Sequence, residues 1–265
     1  MSAVARGTQT PAVDVEAFLA RFHRFGATPS VETYLPLFHP DATLFDDGME
    51  RPLTVDEIPA HIEGVLAMAP GFQMTPERWR ARGAALFVEA CNVAAPGGAP
   101  IAWRAVYRVD LRGAQVTRGR RYFDRAALLA HLMPDAVPPT WTVSAATVAA
   151  EAPQRGAAAF VDACANGWTS GRPQAIAARY REDGALHTPV TDPLARAQVA
   201  GFYERLAPLA LTPRAWAGDE SLLFIEWEGR RGFACVERFD LRDGLVLSGR
   251  LYCDSLALQR GLEDA

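Results

Sequence analysis

The chain has no lysine: all 27 basic residues among its 265 are arginines. Without a lysine amine there is no Schiff-base chemistry, no pyridoxal phosphate anchor and no P-loop lysine. Abundant alanine points to codon bias in a GC-rich genome as the origin. Cysteine is scarce as well. Cys91, Cys164, Cys235 and Cys253 stand apart and form no CxxC pair, which argues against zinc-ribbon and thioredoxin-like sites. Free thiols in a reducing cytoplasm are the expectation. The histidines, His23, His39, His61, His131 and His187, show no HxH or HExxH spacing, so no metal site is expected. GxSxG, Rossmann and P-loop motifs are missing, and no apolar run approaches the roughly 20 residues of a membrane span. Met1 to Val13 lacks the apolar core of a secretory signal. A net charge of −4 offers nothing to attract nucleic acid or a membrane surface.

What is present is a repeat. The stretch Arg108–Asp124 meets Arg238–Asp254 with nine of seventeen residues matched. Upstream, Leu86-Phe-Val-Glu89 meets Leu223-Phe-Ile-Glu226, Thr75–Trp79 meets Thr212–Trp216, and Phe38–Leu44 meets Tyr180–Leu186. Order is kept throughout, so two copies of one domain are the economical reading. The expected division is an N-terminal tail over 1–13, a first domain over 14–134, a Pro-rich linker over 135–153 and a second domain over 154–265.

Within the first copy, Val15, Phe18, Leu19 and Phe22 recur at helical spacing. Ser30 can cap a second short helix reaching Phe38, distorted by Pro36. Thr54-Val-Asp-Glu57 is a capping-box pattern and predicts a third helix over 55–68, disturbed by Pro59. Then come β-rich segments at 74–82, 85–94, 101–111 and 114–124, and a last helix over 125–133 that stops at Pro134. Helices followed by antiparallel strands mean an α+β fold, with one twisted sheet around about three helices and a concave apolar cavity.

Each copy resembles the nuclear transport factor 2-like fold, and within it the SnoaL-like group. The carriers are the opening helix, Phe38-His-Pro-Asp-Ala-Thr-Leu44 and Gly119-Arg-Arg-Tyr-Phe-Asp124. In the second copy they are Asn166–Gly171, Tyr180–Leu186 and Gly249–Asp254. The resemblance implies a cone-shaped pocket per domain and pairing through the outer sheet face. Its members include polyketide cyclases, isomerases, dehydratases (lyases), epoxide hydrolases and non-enzymatic proteins, so fold alone does not settle function. Carried over residue by residue, the isomerase-type general base falls at Asp46. The helix tyrosine of those members falls near Phe22, and their oxyanion-binding acid falls at Ala105. The hydrolase-type triad positions hold Ala90, Asn92 and Arg121 in copy one. In copy two they hold Trp227, Gly229 and Leu251, so that triad is missing from both.

With the implied pocket positions facing inward, copy one presents Leu44, Asp46, Asn92, Ile101, Trp103, Ala105, Tyr107 and Arg121. Asp46, its pKa raised by burial, is the expected general base, with Arg121 and Tyr107 stabilising a developing oxyanion. Two other readings of Asp46 stand beside this one: a turn role next to Asp47-Gly48, and a structural salt bridge to Arg121. His61, on the third helix, is either a second acid/base or a helix-surface residue. Asn92, Trp103, His61 and Phe22 are the expected ligand contacts, joined by Trp227 and Glu237 in copy two. Glu237 faces inward unless the register slips by one. Copy two has Thr188 at the base position, which argues that it has lost that base. Glu89/Glu226, Arg120/Arg250 and Asp124/Asp254 match between copies and face away from the pocket by strand parity, in a structural or interface role. The leading expectation is a cofactor-independent cyclase, isomerase or lyase acting in biosynthesis on a small apolar carbonyl-type molecule. The alternative is a non-catalytic tandem ligand-binding protein. Sheet-to-sheet contact between the copies is expected to leave a monomer or a loose homodimer.

Overall fold

Asp14 starts helix α1 (Val15–Ala27) by accepting a hydrogen bond from Ala17 N at 3.0 Å, and the stripe Phe18, Leu19, Phe22 and Phe25 is buried. A computed structural model describes residues 12–46, 49–132, 140–146, 148 and 155–263. Ser30 and Thr33 cap each other at α2 (Val31–Tyr34), and Pro36 sits in the short 3₁₀ turn that follows. The chain then forms β1 (Phe38–Asp46), β2 (Leu53–Thr54), α3 (Ile58–Met68), β3 (Gln73–Arg82), β4 (Ala85–Ala94), β5 (Ile101–Arg112), β6 (Gln115–Tyr122) and α4 (Arg125–Leu132).

Helix α3 begins three residues later than its capping pattern predicts. Glu57 does accept from Thr54 N (2.9 Å) and Oγ1 (3.1 Å), but these bonds close a turn at the end of β2. Pro59 falls in the first turn of α3, where its missing N–H costs nothing, and so does not disturb the helix. Strand β6 ends at Tyr122 because Asp124 caps α4 through Ala126 N (3.1 Å). Gly26 is required where α1 crosses the sheet, since a Cβ there would stand 2.0 Å from the Met74 carbonyl oxygen.

The second half repeats the plan with α5 (Ala157–Thr169), β7 (Tyr180–His187), β8 (Leu194–Ala195), α6 (Arg196–Leu206), β9 (Thr212–Gly218), β10 (Leu222–Glu228), β11 (Ala234–Arg242), β12 (Leu245–Tyr252) and α7 (Ser255–Glu263). The two six-stranded sheets run β2-β1-β6-β5-β4-β3 and β8-β7-β12-β11-β10-β9. In each, the first long strand lies parallel to the last and the other pairings are antiparallel. No helix among the described residues is long and apolar enough to cross a membrane.

Strand alternation gives each sheet two buried faces. The inner face packs on its own helices. The outer faces meet, with Phe87, Val106 and Tyr122 against Leu222, Phe224, Val236 and Tyr252, and with Phe87 stacked on Phe224 at 5.8 Å. Two crossed polar clusters sit in this seam. Glu89 accepts from Tyr252 and, at 3.1 Å, from Arg238; Glu226 accepts from Tyr122 at 2.5 Å and lies 3.1 Å from Arg108. Of the expected linker, residues 140–146 and 148 lie within the described residues. They run along the second half: Trp141 N donates to Val190 O, Ala146 N donates to Ala197 O, and the Trp141 ring lies 4.0 Å from the Arg205 guanidinium carbon.

Candidate functional site

Strand register builds the site in the first half. The parallel pairing of β1 with β6 sets Asp46 opposite Arg121, and the antiparallel pairing of β6 with β5 sets Arg121 opposite Tyr107. The three expected catalytic residues therefore form one row across three strands on the inner face. Asp46 is 5% exposed. Its two oxygens are both taken by Arg121, Oδ1 by Nε at 2.8 Å and Oδ2 by Nη2. His61 on α3 joins the pair, its Nε2 lying 3.3 Å from Arg121 Nη2 and 3.5 Å from Asp46 Oδ2.

This arrangement corrects the electrostatics expected of Asp46. Burial alone would raise its pKa, but the charge and hydrogen bonds of Arg121, with the bond from His61, hold the carboxyl well below the usual carboxylate range. A carboxylate so strongly stabilised is a poor proton acceptor. The salt-bridge reading of Asp46 matches this geometry. Among the described residues its side chain meets Arg121 and His61, and the turn reading falls on Asp47 and Gly48, which lie outside the described residues. Arg121 is raised in turn: burial opposes its charge, and Asp46 outweighs that burial.

Tyr107 is also committed. Its hydroxyl donates to Asn92 Oδ1 at 2.8 Å, so its proton is directed into the sheet rather than at a ligand. Burial pushes this phenol upward in pKa. Asn92 is fully buried and holds the Tyr107 hydroxyl. Phe22 packs edge-on against Tyr107 at 5.0 Å, borders a void of only about 20 Å³ and belongs to the first-half core. Tyr34 was not singled out from the sequence. It is buried and its hydroxyl is pushed up to about 12, first by burial; Arg121 lowers it and Asp46 raises it. Tyr34 lies on a helix turn, and no spacing signal tied it to the strand-borne pair.

Beside the row lies a cavity of about 270 Å³. Phe72, Ile101, Trp103, Ala105, Tyr107 and Phe123 form much of its wall, with Val65, Met68 and Ala69 from the end of α3 and Leu128 and Leu129 from α4. Arg121 and Arg125 supply its charge. Trp103 is one of the cavity's lining residues. Asp46, Asn92, Phe22 and His61 are not part of its lining, and Asp46 and His61 reach it through Arg121.

In the second half the same row reads differently. Leu251 lies opposite Glu237 where the first half has Arg121 opposite Tyr107. Glu237 is 2% exposed and accepts from Tyr203 Oη (2.7 Å) and Trp227 Nε1 (2.8 Å). Trp227 is fully buried, and with Tyr203 and Glu237 it forms a packed polar cluster. Tyr180 extends the cluster through Tyr203 at 3.3 Å. Thr188 follows β7 in a turn, accepting from Val190 N at 3.2 Å.

Burial raises Glu237 to about 7, against the two donors that lower it. An unfolded glutamate titrates near 4.3, so between about pH 4.5 and 7 the folded chain holds a proton the unfolded chain releases. Stability therefore falls as pH rises through that window, by about 3 kcal/mol, and levels off above it. Glu237→Gln is expected to remove this fall, as read by urea midpoints measured from pH 4.5 to 8.

No protein-family model and no curated protein matches the chain. Solved structures are similar over about half of it. A hypothetical protein with a ketosteroid isomerase-like fold from Catenulispora acidiphila, in complex with trimethylamine, is 18% identical, with 44% of this chain and 92% of that chain covered and a TM-score of 0.41. A candidate SnoaL-like polyketide cyclase from Jannaschia is 15% identical, with 52% and 100% covered and a TM-score of 0.40. An NTF2-like protein from Anabaena variabilis is 15% identical, with 46% and 94% covered and a TM-score of 0.37. Both halves build the α+β plan expected from the sequence, helices with a six-stranded sheet whose first long strand lies beside its last.

Proposed function

We propose that the first half is a small-molecule site, taking a mostly apolar molecule whose carbonyl-type oxygen meets Arg121. The cavity carries this reading: about 270 Å³ of largely aromatic and aliphatic wall with the partly buried guanidinium of Arg121 on it. Concave, mostly apolar pockets with a few fixed polar groups are the usual form of such sites. Asp46 engages Nε and Nη2 of Arg121, which leaves Nη1 outside that pair. Asp46 then acts as the orienting partner of Arg121, and no cofactor is needed to hold the ligand.

A second reading is cofactor-independent acid/base turnover, a cyclisation, isomerisation or elimination. The observation favouring it is the contact of His61 with both Asp46 and Arg121. In this reading the His61 side chain turns past Arg121 into the cavity to take the proton, and Arg121 stabilises the negative charge that develops on oxygen. Asp46 orients both.

Small aromatic ketones such as acetophenone and 2-tetralone, titrated in D₂O, test both readings. Saturable binding is expected, weakened more than tenfold by Leu128→Trp, which fills the cavity. Binding without exchange of the ketone α-hydrogens for deuterium supports the first reading. Exchange above the buffer rate that His61→Gln abolishes supports the second. Absence of saturable binding across the panel overturns both.

A further inference from the structure

Arg125 opens α4 and lines the first-half cavity, yet its charge partner belongs to the other half. Its Nε lies 3.0 Å from Oδ2 of Asp254, and its Nη2 bonds the same oxygen. Asp254 is fully buried. One residue before Arg125, Asp124 Oδ1 caps α4 and also accepts from Ser255 N (3.1 Å) and Oγ (2.6 Å). The first turn of α4 is thereby tied to the first turn of α7. One turn further along, Leu128 and Leu129 complete the cavity wall, and α4 touches the 96–98 turn, whose Pro96 belongs to the same wall.

We propose that Asp254 is a positioning residue for the first-half cavity: by holding Arg125 it sets the α4 wall, so that the site is incomplete without the second half. The described residues of α4 number eight and Pro134 follows closely in the sequence, and a helix that short is not stable in water on its own. Its place must come from tertiary anchors, and a buried carboxylate paired to an arginine is a strong one. The exchange between the halves is unequal. Ser255 occupies the position matched to Arg125, and its short side chain reaches Asp124 and no farther. A long charged arm thus runs from the cavity wall into the second half, while only a hydroxyl returns.

The ligand arm of the test rests on the small-molecule reading of the cavity; the helix arm does not. Hydrogen exchange followed by mass spectrometry on the full chain compares wild type with Asp254→Asn, and with Arg125→Gln, which removes the same pair from its half-exposed end should the first variant fail to fold. Peptides spanning α4 are expected to exchange at least tenfold faster, with β4 and β5 unchanged. The dissociation constant for acetophenone should rise severalfold. The double variant should be no worse than either single one. Unchanged α4 exchange, or acceleration spread evenly over both sheets, overturns the proposal. If wild type binds no ketone, the small-molecule reading fails and the exchange result alone decides this one.

Discussion

Asp46→Ala is expected to destabilise the protein by about 3–5 kcal/mol, because it strands the Arg121 guanidinium inside the first half. The side chains are only 7% and 14% exposed, so water cannot take over the lost partner. Arg121→Met should cost a similar amount by stranding the carboxylate. The pair replaced together should lose much less, since two apolar groups of similar size leave no charge behind. Urea unfolding of the four proteins as a double-mutant cycle reads the coupling directly. The pH response carries the opposite sign to that of Glu237. Asp46 is held below its unfolded pKa, so its contribution is whole above about pH 4 and fades as pH falls further. Asp46→Ala should accordingly flatten the acid limb of the stability curve. A full acid limb in that variant would mean that the Asp46–Arg121 pair does not stabilise the fold.

Glu89→Ala carries the second large expected effect, again about 3–5 kcal/mol. Glu89 is fully buried in the seam between the sheets, and its loss leaves Arg238, 5% exposed as a side chain, without that carboxylate. Tyr252 loses its acceptor at the same time. Glu226→Ala should cost a comparable amount through Arg108 and Tyr122. The distinguishing readout is cooperativity. Calorimetry should show one transition for wild type and two resolved transitions for either seam variant, because the damage falls between the halves and not within one. A single transition shifted downward would mean that the seam does not control their coupling.

How far the sequence could be read follows from the range of the interactions involved. Strand β4 runs over the residues its alternation predicts, since Leu86, Val88, Ala90 and Asn92 face one way and Phe87 and Glu89 the other. The α1 stripe and the repeat were legible for the same reason: each is written in neighbouring residues. The row Asp46–Arg121–Tyr107 was legible as a set, but not as a bonded pair. Its pairing depends on a parallel register between strands 75 residues apart. That register turns an expected base into a salt-bridge carboxylate. Glu57 makes the bonds its pattern predicts, yet they close a turn after β2 and the helix starts only at Ile58. The packing of 140–146 on the second half shows no periodicity, because it is held by single backbone bonds to Val190 and to Ala197 in the first turn of α6. Arg125 and Asp254 likewise lie 129 positions apart, and nothing local joins them.

Joining both copies in one polypeptide changes what the crossed seam demands. Two separate chains meeting through such a face would part on dilution, and every substitution would appear on both sides of the axis. A tether keeps the local concentration of each half around the other high at any protein concentration. Each side can then change alone, and the arginine and the serine that open the two closing helices are one such divergence.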